Sequence, residues 1–187
     1  MPRREPARED HAHPTALHAP ILAARATDVT FPLMDPAPAF RIGTSNRAHI
    51  VVGASRRQHP EARDYWDGNW LLGTVSIATG AFRGSFEAQF RADEFVRFRD
   101  QLRALYEKLV GRAVFDPMEP WLRIEVEGDG RGHFRVRCRA DDQPGVGNTL
   151  TFSLEFDQTE LPGVLVDQDV ICEAFPVIAA PGAPARA

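Results

Sequence analysis

AFRGSFEAQFRADEFVRFRDQLRALYEKLVG, residues 81–111, changes its hydrophobic period part-way along. In the first half Phe82, Gly84, Phe86, Ala88 and Phe90 alternate with Arg83, Ser85, Glu87, Gln89 and Arg91. Alternation of this kind puts the apolar set on one face of an extended chain, so the segment reads as a half-buried strand. From Phe95 the spacing lengthens to threes and fours, through Phe98, Leu102, Leu105 and Leu109. That is the stripe of an amphipathic helix, expected over about 93–110, and such a stripe belongs to a core. Asp93 is placed to cap its start and Gly111 to close its end in a left-handed conformation.

Outward from this stretch the strand pattern repeats. AFRIGT (39–44), HIVVGAS (49–55) and WLLGTVSIA (70–78) precede it, and GRAVF, WLRIEVEG, HFRVRCRA and NTLTFSLEF follow between 111 and 156. A last helix is expected over about 160–175, started by Thr159, pre-shaped by Pro162 and ended before Pro176. Strands in runs, broken by helices without βαβ alternation, give an α+β class. The expectation is a mainly antiparallel sheet of about seven or eight strands with two packing α-helices, in a single domain over 38–176. Residues 1–37, rich in Pro, Ala and charge, and residues 177–187 are expected as flexible ends. His11 and His13 in the first of these lack further ligands, so no metal is expected there.

The hairpin at 122–138 can be specified by parity. Leu122, Ile124 and Val126 share one face, as do Phe134, Val136 and Cys138. All are even-numbered, so paired residue numbers must sum to an even value if both faces are to meet the core. A two-residue turn at Asp129-Gly130 fails this requirement, and a three- or five-residue loop through GDGRG satisfies it. With sums of 260, Glu125 faces Arg135 and Glu127 faces His133. The outward arginines Arg131, Arg135, Arg137 and Arg139 are then opposed by carboxylates, which argues for paired surface charge over a phosphate-binding stripe.

Composition narrows the function. The formal net charge of -4 argues against a general nucleic-acid binder. Cys138 and Cys172 are too few for a disulfide framework at this length and read as small buried hydrophobes. No apolar run approaches a membrane span, and the arginines of MPRREPARED are followed by no apolar segment. A cytoplasmic protein is expected. No GxGxxG, Walker loop, GxSxG or HExxH motif occurs. The pairs Asp64/Asp67 and Asp141/Asp142 lie in polar loops, where solvated turn acids are the ordinary case, and Cys138 and His133 point to opposite faces. No catalytic residue, cofactor or metal is expected.

Two features suit binding. DYWDGNWL, residues 64–71, gathers Tyr65, Trp66 and Trp70 around Asp67. It fits either a small-ligand or carbohydrate-binding loop or an aromatic clasp, with Asp67 holding a DGN turn through backbone amides. Trp70 falls on the face opposite Leu71, Gly73, Val75 and Ile77, and so needs cover of its own. The second feature is a run of acids, Glu155, Asp157, Glu160, Asp167, Asp169 and Glu173, with no Lys or Arg among them. Such a run suits docking of a basic protein.

YWDGNWL at 65–71, GDGRGH at 128–133 and FDQTELP at 156–162 together resemble the bacterial WapI-type immunity proteins. The FRADEF run and LYEKLVGRA are similar in order and kind, and the likeness extends over roughly 38–176. The resemblance implies a non-catalytic protein that neutralises the toxin domain of a polymorphic or contact-dependent toxin, often a nuclease. It supplies no active site. It strengthens the acidic docking face, since a nuclease is normally basic where it binds its substrate.

Overall fold

A computed structural model describes residues 37–44 and 48–179. The N-terminal arm, with His11 and His13, lies outside the described residues except for Ala37, as does the C-terminal tail beyond Ala179. Strands β1 (Ala39–Gly43), β2 (His49–Arg57), β3 (Trp70–Thr79) and β4 (Phe82–Arg91) come first. Helix α1 (Ala92–Lys108) follows, then β5 (Val110–Phe115), β6 (Leu122–Asp129), β7 (His133–Asp141) and β8 (Thr149–Asp157). Helix α2 (Leu161–Ala174) comes last.

The eight strands form two four-stranded antiparallel sheets, β1-β2-β3-β4 and β5-β6-β7-β8, each a meander. The class is α+β as expected, with the strands divided at α1. Helix α1 packs on β5 and on α2, and α2 packs on β1, so the helices tie the two sheets together. Where they meet, Phe40, Phe90, Phe95, Phe98 and Phe115 form one ring cluster with centroids 5.3–6.3 Å apart. All five are fully or almost fully buried, each worth about 1.5–3 kcal/mol in transfer free energy. The stretch that switches period therefore supplies three of the five.

The helix ends depart from expectation. Arg91, not Asp93, is the N-cap of α1, and the Glu94 carboxylate reaches back to accept the Arg91 N–H at 2.8 Å. Asp93 is drawn instead to Arg91, Arg97 and Tyr65. At the other end Leu109 itself takes the left-handed conformation (φ 57°), because β5 begins at Val110 and leaves no room for a later reversal. Gly128, whose Cβ would lie 2.4 Å from the Leu109 carbonyl oxygen, permits that close turn. Helix α2 is capped at Glu160, not Thr159, with Pro162 in its first turn. Asp157 spends Thr159 in the preceding turn by accepting its N–H at 2.8 Å.

The β6–β7 hairpin keeps the required parity, and both apolar sets face the core. Its sums are 262, not 260: Glu125 faces Arg137 and Glu127 faces Arg135. The slip by two has a local cause. Gly130 and Gly132 take positive φ (78° and 90°), and Asp129 accepts the N–H groups of Arg131 and His133 at 2.7 and 3.1 Å. The reversal thus sits after Asp129, in three residues.

Candidate partner-binding surfaces

The loop from Gln58 to Asn69 joins β2 to β3 and holds the aromatic motif. Asp64 Oδ1 accepts the N–H groups of Trp66 (2.8 Å) and Asp67 (2.9 Å), the geometry of an Asx turn. The turn was expected to hang on the Asp67 carboxylate. An Asx turn needs its carboxylate ahead of the amides it accepts, and Asp64 has that position. These N–H bonds hold the Asp64 carboxyl below the usual carboxylate range, and the Asp67 side chain is exposed.

Arg91 organises the rest. In the β3–β4 register it pairs with Trp70, so its guanidinium lands on the face that lacked cover. The guanidinium carbon lies 4.8 Å from the Tyr65 ring centre, 5.6 Å from that of Trp66 and 5.5 Å from that of Trp70. It donates to the carbonyls of Tyr65 and Trp66 at 2.8 Å each and to Asp93 at 3.2 Å. Only 2% of its side chain is exposed. The three rings are thus gathered around an arginine of the same chain, which is a clasp. Trp66 nevertheless leaves 63% of its surface in solvent.

Asn69, fully buried, extends the clasp to the segment that follows α2. Its Nδ2 donates to the carbonyls of Tyr65 and Ile178, and its Oδ1 accepts the Ile178 N–H, all at 2.8 Å. Arg57 donates to the carbonyls of Gly68 and Pro176. So Ile178, expected in the flexible tail, is held by paired hydrogen bonds. Sequence reasoning missed Arg57, Arg91 and the reach of Asn69. The one available signal was the alternation that puts Arg91 on the Trp70 side of its strand.

Two arginines of β7 are paired across strands as expected; Arg139 instead faces Arg123 in the register and takes Asp141 of its own strand, and Arg131 makes no ion pair among the described residues. Arg137 lies 3.0 Å from both Glu125 and Glu127, Arg135 lies 3.4 Å from Glu155, and Arg139 lies 2.9 Å from Asp141. Cys138 points into the core while His133 points out, and burial pushes the Cys138 thiol up to about 12. It is no thiolate at neutral pH.

The six acids of the C-terminal region divide into two groups. Asp169 is bonded by Arg103 at 2.6 and 2.7 Å, with Arg99 at 3.6 Å. Asp167 lies beside Arg41, and burial raises its carboxyl above the ordinary value. Of this group Glu173 stays exposed. The other three, Glu155, Asp157 and Glu160, line an open hollow of about 670 Å³ at the turn end of the second sheet. Glu127 and Asp129 line it too, so five carboxylates face two guanidinium groups, Arg135 and Arg137, with His133 among them. Hydrogen bonds from Thr159 lower the Asp157 carboxyl, and the Arg131 and His133 amides lower that of Asp129, each below its ordinary value. Among the described residues no group of three or more His, Cys, Asp or Glu is arranged to hold a metal ion.

The model of the immunity protein WapI-like family matches residues 41–176, most of the chain. The chain belongs to that family. The match to the WapI-like family runs from β1 past the end of α2, and so takes in the clasp, both sheets and the acid-lined hollow. It closes at Pro176, the residue whose carbonyl Arg57 holds. The sequence matches no curated protein. Among the described residues of this WapI-like chain no helix is long and apolar enough to cross a membrane.

Proposed function

We propose that the chain is a cytoplasmic immunity protein that binds and neutralises a basic toxin domain, in keeping with a nuclease target. The acid-lined hollow carries the reading: five carboxylates against two arginines, in a concavity large enough for several side chains. Glu155, Asp157 and Glu160 are the contact residues, joined by Glu127 and Asp129, which the sequence reading did not include. Protruding Lys or Arg side chains of the toxin fill the hollow. A nuclease concentrates such side chains where it grips phosphates, so covering them blocks its substrate. Asp167, Asp169 and Glu173 lie outside this contact, the first two already answered by Arg41 and by Arg99 and Arg103. In the clasp Tyr65 and Trp70 serve by holding the loop, and Trp66 and Asp67 are the members left exposed to a partner.

The test is co-purification with a candidate toxin domain from the same genome, followed by titration of the affinity. Glu155→Lys with Glu160→Lys is expected to weaken binding by on the order of a hundredfold, mostly through slower association at low salt. Unchanged binding by this variant would remove the hollow from the contact.

A further inference from the structure

Four strands stand at sheet edges, and three of them are covered. Helix α1 closes β5, where Gln101 Oε1 accepts the outward Val114 N–H at 2.8 Å. Strand β1 lies against α2, and β8 runs near β1. Strand β4 differs. It pairs only with β3, and no other described residue bonds to its backbone between Phe82 and Phe90. The strand is ten residues long and carries no Pro or Lys. Residues 82–85 are exposed, Phe82 to 66%. A long open edge of this kind is a template for another strand.

The sequence of that edge is complementary to itself. Arg83 and Glu87 stand two positions either side of Ser85, on one face, and neither has a partner among the described residues. If two copies of β4 pair antiparallel about Ser85, Arg83 of each copy falls opposite Glu87 of the other. Two reciprocal ion pairs then form on the outer face. On the inner face Phe82 falls opposite Ala88, and Gly84 opposite Phe86, so an exposed ring gains a small neighbour and a bulky ring meets a glycine. A twofold axis through Ser85 leaves the faces of the two sheets continuous. We infer that β4 is a self-association edge, joining two copies of this chain into a continuous eight-stranded sheet.

This inference stands apart from toxin binding, and its test uses the full chain alone. Sedimentation equilibrium is expected to show a monomer–dimer equilibrium. Glu87→Arg and Arg83→Glu each set like charges opposite one another at both pairs, and each is expected to weaken the dimer by on the order of tenfold. The double exchange R83E/E87R is expected to restore it. A second variant reads geometry directly. Ser85 faces itself across the axis at about 4.5–5.5 Å between Cα atoms, within disulfide range. Ser85→Cys is expected to cross-link copies under mild oxidation, while Ser153→Cys, on the exposed face of β8, does not. A chain that stays monomeric throughout, or Ser85→Cys cross-linking no faster than Ser153→Cys, would overturn the inference. So would a dimer indifferent to the charge exchanges.

Discussion

One arginine determines how the aromatic motif behaves. Arg91 is almost wholly buried, and its charge is answered by Asp93, two carbonyls and three ring faces. Removing it leaves the two carbonyls without that donor and takes one of three donors from the buried Asp93. Arg91→Met is therefore expected to cost about 3–5 kcal/mol in urea denaturation, and Arg91→Lys nearly as much, because an ammonium cannot serve three rings and two carbonyls at once. A loss under about 1 kcal/mol would contradict the clasp. The composition of DYWDGNWL was legible, and so was the choice between clasp and ligand loop. Which acid held the turn was not, because Asp64 and Asp67 are chemically alike and only backbone geometry separates them.

Titration follows from the same groups. Asp64, Asp129, Asp141, Asp142 and Asp157 all titrate lower than an ordinary Asp, through hydrogen bonds from backbone or side-chain donors. A depressed carboxyl contributes stability above its unfolded value of about 3.9, lost as pH falls through the folded value. Glu94 works the other way, since burial raises its carboxyl despite the Arg91 and Met118 amides that it accepts. The folded state then holds a proton that the unfolded chain has released, so its stability contribution declines as pH rises above about 4.3. Glu94→Gln is expected to remove that decline while leaving the acid-side loss in place. Denaturation midpoints across that pH range would show it.

At the scale of elements, alternation revealed each strand and its inward face, and parity excluded a two-residue turn in the β6–β7 hairpin. Neither could say which strands share a sheet. Alternation specifies faces, not partners, and the division at α1 depends on helix packing distant in sequence. The register slip has the same origin, since parity allows any even sum and only the Asp129–Gly132 turn chemistry selects 262. Helix α2 carries a cost the sequence did not advertise. Gln168 is fully buried, and among the described residues neither its Oε1 nor its Nε2 has a hydrogen-bond partner. Burying an amide this way is unfavourable. Gln168→Met, of similar length, is expected to stabilise the chain by about 1 kcal/mol or more. A lower midpoint in thermal denaturation would mean that the amide is satisfied in solution.

For the whole molecule, the acidic run of six residues is the case where counting along the chain misleads. Arg41, Arg99 and Arg103 come from other elements and answer the acids of α2, while Glu127 and Asp129 join the rest from another hairpin. The charge asymmetry survives only where the fold concentrates it, at the hollow. Salt is expected to weaken toxin association steeply there, and much less once Glu155 and Glu160 are reversed. The measurement closest to the central claim is calorimetric titration of the full chain into a candidate toxin domain from the same genome. Sub-micromolar affinity, loss of toxin activity at equal stoichiometry and marked weakening by E155K/E160K are expected. No detectable binding to that domain, or tight binding that leaves its activity intact, would contradict it.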